Sequence, residues 1–226
     1  MKKLKLSELG KFSVIIPVLL ITLVSFTGCV QQNFELDEVE IDEYNGEKLS
    51  SIFEFRENSI KGPQYIDQKN YTLRVSGFVK NPKSYNYQDI INNFQSYKKI
   101  ITLNCVEGWS VKILWQGLLV KDLIEESDPY EVGNTIIFHA HDGYKTSLPI
   151  NYIYNNSILL AYKMNNATIP PGRGWPFQLV AESKWGYKWI KWVTEIEISD
   201  NINYKGFWES RGYSNSADLN RSFFDI

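Results

Sequence analysis

Two hydrophobic periods alternate along the chain. Residues 71–79 (YTLRVSGFV) switch between apolar and polar at a period of two and stop at Asn81-Pro82, which predicts a half-buried strand. In 87–94, Ile90, Ile91 and Phe94 fall at helical spacing, and 98–105 (KKIITLNC) returns to a β-branched run. Apolar residues recur at three and four in 117–126 (GLLVKDLIEE), which predicts a helix, and 134–140 reads as a strand entering the turn signal His141-Asp142-Gly143. One helical turn over 149–154, buried strands over 158–164 and 177–181, and a long last strand over 189–199 complete the pattern. Helices this short do not cover a doubly wound parallel sheet, so the class is mixed-sheet α+β.

The N-terminus follows a different rule. Residues 1–11 hold four lysines, 12–27 are almost wholly apolar, and the run closes on Phe26-Thr27-Gly28-Cys29, the architecture of an export signal. Spanning a bilayer takes about 20 apolar residues, and this run is shorter and contains Pro17. The tripeptide before Cys29 resembles a lipobox, with Phe26 where Leu is usual. The reading is a lipoprotein signal over 1–28, acylation at Cys29, and an extracytoplasmic protein anchored to the membrane by lipid. An uncleaved anchor and ordinary cleavage are the alternatives, and both also place the domain outside the cytoplasm. The acidic stretch that follows (Glu35, Asp37, Glu38, Glu40, Asp42, Glu43) makes 29–49 a solvated tether.

Composition narrows the rest. The 226 residues include 12 Phe, 14 Tyr and 7 Trp against 14 Gly and 8 Pro, which excludes disorder and repetitive fibres. After the signal, roughly one domain's length remains. The net charge is −2, and taking away Lys2, Lys3, Lys5, Lys11 and Glu8 leaves 20 basic against 25 acidic residues. A nucleic-acid partner is excluded, since such surfaces run basic to meet phosphates.

Three segments carry candidate chemistry. Cys105 is the only cysteine after Cys29, at a predicted strand end in Asn104-Cys105-Val106-Glu107-Gly108-Trp109-Ser110. By residue type alone it reads first as a small buried hydrophobe, with a nucleophile or a soft-metal ligand as the alternatives. Residues 170–177 (PPGRGWPF) form a rigid turn that lets backbone approach a ligand, and 183–193 (SKWGYKWIKWV) interleaves three lysines with aromatics, which suggests a local anion site or a plain alternating strand. His139 and His141 share a strand face, but no further His or Cys exists to complete a zinc site. No Walker loop or dinucleotide glycine fingerprint is present.

The order of these segments is more specific than any one of them. Cys-Val-Glu-Gly-Trp-Ser at 105–110, Trp115-Gln116-Gly117, Asp142-Gly143-Tyr144, Leu159-Leu160-Ala161-Tyr162, the Gly-x-Pro turn at 174–176 and Gly-Tyr-Lys-Trp-Ile-Lys-Trp at 186–192 together resemble the molybdopterin-binding domain of the sulfite oxidase family. The likeness covers roughly residues 50–200. Within the family it is closer to the periplasmic protein-methionine-sulfoxide reductase catalytic subunit, whose cysteine has the same setting. The resemblance implies a sulfite-oxidase-type α+β domain holding Mo-molybdopterin, one pterin per metal, with tungsten held by the same ligands. Cys105 matches the metal-binding thiolate. Lys188, Trp189, Ile190 and Lys191 match the segment that holds the pterin phosphate. Ser50, Phe53 and Glu54 match an upstream element that contacts the pterin, and Ala140 replaces a hydroxyl residue of the relatives.

Two departures from the family pattern matter more. Arg173 stands where His or Asn is common, and Gln178 stands where Arg is common. Either the charge has moved to Arg173, which then acts at the anion, or the grip on the cofactor is weaker. The implied activity is transfer of an oxygen atom and two electrons, as sulfoxide or N-oxide reduction or as sulfite-type oxidation. The partners would be a small-molecule or protein-bound oxo substrate and a separate electron carrier, membrane-bound in one version, since the haem and dimerisation domains of some relatives are not expected in so short a chain. The alternative is a surface binding module that kept the fold and lost the cofactor. Residues 201–226, with Trp208, Tyr213, Phe223 and Phe224, are expected to pack back on the domain.

Overall fold

In the computed structural model, residues 38–224 are described. Residues 1–28, read from the sequence as an export signal, and Cys29 lie outside them. The first element is a small hairpin, β1 (Glu43–Tyr44) and β2 (Glu47–Lys48), turned by Asn45 and Gly46, both at positive φ. An Asn-Gly pair supplies that geometry at little cost. The expected tether is therefore structured from this point inward. Glu38 pairs with Lys163 at 2.5 Å, and Glu40 accepts from the Ile52 N–H at 2.7 Å and from the Asn165 amide. Glu38 and Glu40 bind the domain surface because a cation and N–H groups lie opposite them.

Two five-stranded sheets make the body. The first is built from β5 (Tyr97–Asn104), β6 (Ser110–Leu119), β9 (Leu159–Met164) and β10 (Ala167–Thr168), all antiparallel, with β11 (Gln178–Val180) also on β9. The second has the order β4 (Lys83–Asn86), β3 (Thr72–Gly77), β12 (Val193–Ser199), β7 (Thr135–Ala140) and β8 (Lys145–Pro149), with β12 parallel to β3. Three short helices join them: α1 (Tyr87–Asn93), α2 (Val120–Glu126) and α3 (Ile150–Asn156). A capping box sets the start of α1: Asn86 accepts from the Asp89 N–H, and the Asp89 carboxylate accepts from the Asn86 N–H. Leu73, Val75, Ile113, Trp115, Phe138, Leu160, Phe177 and Ile196 are buried in the shared core.

Two expectations change. The helix read over 117–126 begins only at Val120, because residues 110–119 pair with β5 on one side and β9 on the other. Gly117 permits this, since a Cβ there would sit 2.1 Å from the Leu160 carbonyl oxygen. The last strand begins at Val193, not at 189: Gly186–Lys188 form a 3-10 turn, and Trp192, at φ +54°, donates its N–H to the Gly174 carbonyl. The lysines and aromatics of 184–192 thus do not alternate across a strand but lie on an irregular path beside Cys105.

Candidate active site

The β5–β6 turn presents Cys105. Asn104 faces Ser110 in register, the Cys105 N–H donates to the Trp109 carbonyl at 2.9 Å, and the Gly108 N–H donates back to the Cys105 carbonyl at 3.1 Å. Gly108 sits at φ +88°, a conformation costly for residues with a Cβ. The turn is closed around the sulfur. An isolated parallel bridge between Asn104 and Trp185 brings in the 183–192 segment, and Gly186 lies so near that a Cβ would meet the Asn104 oxygen at 3.2 Å.

Cys105 opens into a cleft of about 400 Å³, within the usual range for small-molecule sites. The residue is buried, 9% exposed, and is the free cysteine among the described residues. Burial pushes the thiol up, while the Glu107 and Val106 backbone N–H groups and the Asn58 amide, 3.6 Å from Sγ, pull the other way. As it stands it is a protonated, shielded thiol. Only a nearby cation or a coordinated metal would turn it into a thiolate.

Two of the cations of the cleft, Arg173 and Lys191, come from other segments. Arg173, on the 3-10 turn Pro171–Arg173, donates through Nε to the Ile52 carbonyl at 2.8 Å and through a terminal nitrogen to the Phe55 carbonyl at 2.5 Å. Its guanidinium also lies 4.0 Å over the Phe55 ring. Lys191 pairs with Glu57 and lies over the Trp192 ring at 4.5 Å. Burial lowers both basic groups, partly offset by Glu57. Gly174 joins them, since its Cα lies so near Gln178 and Lys191 that a Cβ would stand 3.1 Å from each side chain. Arg173 and Gln178, the two departures from the family pattern, therefore line one cleft with Cys105 and Lys191. Trp189 and Ile190 are buried in its wall.

Two groups of expected site residues lie outside the cleft lining. The Lys188 ammonium is not in the cleft: it is fully buried, 2.5 Å from Glu209 and 2.9 Å from the Ser147 carbonyl. A charge placed in the core takes the partner that satisfies it, and here that is a carboxylate from beyond residue 200. Nor do Ser50, Phe53 and Glu54 line the cleft. Ser50 accepts from the Lys112 N–H at 3.1 Å, Phe53 is exposed, and Glu54 accepts from the Ser51 N–H. Residues 55–60 line it instead, with Asn58 on the thiol and Glu57 on Lys191. No sequence pattern marks Asn58 or Glu57, because their partners are 47 and 134 residues away. His139 is 2.7 Å from Glu197 across β12, and Ala140 is buried in β7 at the turn to Tyr144.

The donor set can be tested against a ligand. Among the described residues no three His, Cys, Asp or Glu side chains converge on a metal position. A metal held at Cys105 would therefore draw its other ligands from a bound organic group. A soft sulfur donor at one end of the cleft and Arg173 and Lys191 further along fit a sulfur-rich metal group with an anionic tail. The family comparison bears on the class of ligand such a cleft would take. Residues 60–208 match the oxidoreductase molybdopterin binding domain. The chain belongs to this family.

As a member it is a molybdenum-dependent oxidoreductase. It is 32% identical over 157 residues to an uncharacterized oxidoreductase, YuiH, of Bacillus subtilis, covering 69% of this chain and 78% of that one. It is 27% identical over 159 residues to the NADPH nitrate reductase of Fusarium oxysporum, across 59% of this chain and 18% of the relative. With the protein-methionine-sulfoxide reductase catalytic subunit MsrP of Gluconobacter oxydans it shares 26% identity over 148 residues, 58% of this chain and 47% of that one. Its fold matches the crystal structure of the sulfane dehydrogenase SoxCD of Paracoccus pantotrophus at a TM-score of 0.59 and 19% identity, covering 62% of this chain and 41% of that one. The chain thus spans most of the Bacillus relative and less than half of the other three.

Proposed function

We propose that the protein is an exported oxygen-atom transferase that holds Mo-molybdopterin through Cys105. The observation that carries the reading is the placement of the free Cys105 thiol, at the end of β5, in one cleft with Arg173, Gln178 and Lys191. When bound, the cofactor supplies the two-electron chemistry. The chain's own residues do the rest. Cys105 would give one thiolate, the Lys191 and Arg173 side chains would neutralise the phosphate tail, and the aromatic walls would keep bulk water from the substrate oxygen. Electrons reach the site from a separate carrier. Acylation at Cys29 keeps the protein at the outer face of the membrane, where a membrane-bound carrier is within reach. A single acyl chain is a marginal anchor, so stable attachment takes more than one.

The test measures molybdenum and pterin in protein made by a cofactor-competent host, beside turnover with an artificial electron donor. The parent should carry about one molybdenum per chain. Cys105→Ser should keep its fold and much of its pterin while losing metal-thiolate absorption and turnover, because a hard, weakly acidic oxygen replaces a soft thiolate. A folded, cofactor-loaded Cys105→Ser protein that turns over near the parent rate would overturn the assignment. Parent protein devoid of molybdenum would favour a binding module with the same fold.

A further inference from the structure

The cleft has a wall that lies at the edge of the family match. Trp208 and Tyr213 line it from the last stretch of the chain, with ring centroids 5.1 Å apart, and Tyr213 is 5.2 Å from Tyr187. Both rings are half-buried, so each keeps a surface free for contact. Trp109, half-buried and 5.6 Å from Phe55, lines the cleft from the β5–β6 turn. The position of the late segment is fixed by contacts too specific for a loose tail. Glu209 is bound to Lys188, Asp218 to Lys184 at 2.5 Å, the Trp185 N–H donates to the Ala217 carbonyl at 2.8 Å, and the Tyr187 hydroxyl donates to the Ser214 carbonyl at 2.7 Å. All of these anchors lie on the 184–188 stretch that touches Cys105.

Charge supplies the second half of the argument. The ionisable side chains that line the cleft balance: Arg56, Arg173 and Lys191 against Glu57, Glu107 and Asp142. A phosphate tail held by Arg173 and Lys191 would leave the remainder negative. A small anion meets repulsion there, whereas a neutral molecule with a flat apolar group meets aromatic faces.

We infer that Trp208 and Tyr213 form the substrate-selecting wall, and that the substrate they select is an uncharged oxo compound, a sulfoxide or N-oxide carrying an aromatic or other broad apolar group. The inference rests on the proposed function for its chemistry. For a sulfoxide the S=O bond breaks, two electrons arrive from a one-electron donor such as a reduced viologen, two protons are taken up, and the products are the sulfide and one water.

The experiment compares methyl p-tolyl sulfoxide, dimethyl sulfoxide and sulfite on the molybdenum-loaded full chain, with reduced viologen for the sulfoxides and an electron acceptor for sulfite. Trp208→Leu and Tyr213→Leu keep apolar bulk, so the extension stays packed. Each should raise KM for the aryl sulfoxide by about fivefold to tenfold, as expected for one lost aromatic contact, and leave kcat/KM for dimethyl sulfoxide within about twofold. Equal losses on both sulfoxides, an unchanged preference, or faster sulfite oxidation than aryl sulfoxide reduction would overturn the wall. Titration calorimetry with unreactive methyl p-tolyl sulfone separates the two readings. If the chain carries no molybdenum, the proposed function fails, and the wall then stands or falls on whether the leucine variants weaken sulfone binding.

Discussion

Lys191 and Glu57 form an ion pair inside the cleft, with side chains 15% and 26% exposed, between a segment next to β12 and the stretch that precedes β3. The pair sets the cation of the anion site against an internal carboxylate. Lys191→Met should lower cofactor affinity about 10- to 150-fold, the equivalent of losing a charge-assisted bond of roughly 1.5–3 kcal/mol. Glu57→Gln frees Lys191 and should give occupancy at or above the parent's when cofactor is limiting. Pterin content after denaturing extraction reads both, with Lys121→Met, on α2, as the control. Equal occupancy in all three variants would make Lys191 a bystander.

Lys188 and Glu209 are fully buried, and the second Glu209 oxygen, Oε2, has no hydrogen-bond partner. Removing one member of a buried pair leaves the other charge stranded, which costs about 3–5 kcal/mol. Lys188→Met should therefore lower Tm by about 6–20 °C in a domain of this size. Lys188→Met/Glu209→Leu should recover much of that loss, since no uncompensated charge remains. Thermal melts of the three proteins decide it, and a double variant no better than the single one would show that the pair contributes through geometry.

Gly117 is where β6 and β9 approach most closely, so Gly117→Ala forces backbone, not a side-chain tip, to move. A loss of at least about 3 kcal/mol is expected, at the upper end of overpacking. Gly172→Ala, whose Cβ would meet nothing nearer than 3.8 Å, should stay within about 0.5 kcal/mol. Denaturant midpoints of the two variants give the comparison.

Asp218 ties the late segment to Lys184. Burial alone would raise its carboxyl, but the Lys184 hydrogen bond and charge outweigh it and hold the group below its ordinary 3.8. A carboxyl depressed in the folded state contributes stability above its unfolded value and loses it as pH falls through the folded one. Amide protection factors of residues 213–222 should therefore fall below about pH 3.8 in the parent, whereas Asp218→Asn should be less protected at neutral pH and lose most of that acid step. Parallel pH curves for the two proteins would remove Asp218 from the anchor.

The class of fold and the position of Cys105 were legible in the chain, because both follow from local rules. A period-two run becomes a strand where one face is buried, as at Thr72–Gly77, a short apolar run becomes a fully buried one at Thr135–Ala140, and a cysteine at a strand end before a glycine turn sits at a strand end before a glycine turn in the structure. The His141-Asp142-Gly143 turn is local in the same sense. What the chain could not disclose was pairing across distance. The period of 117–126 reads as helix until β5 and β9 claim residues 110–119 as strand, and a run of lysines reads as one anion site until Glu209 takes Lys188 and Glu57 takes Lys191. Asn58, Trp208 and Tyr213 carry no local signal, since a side chain's role at the cleft depends on what the fold sets opposite it. Hydrophobic period is a property of neighbours in sequence, whereas charge neutralisation in a low-dielectric interior is a property of neighbours in space, and only the tertiary structure decides which those are.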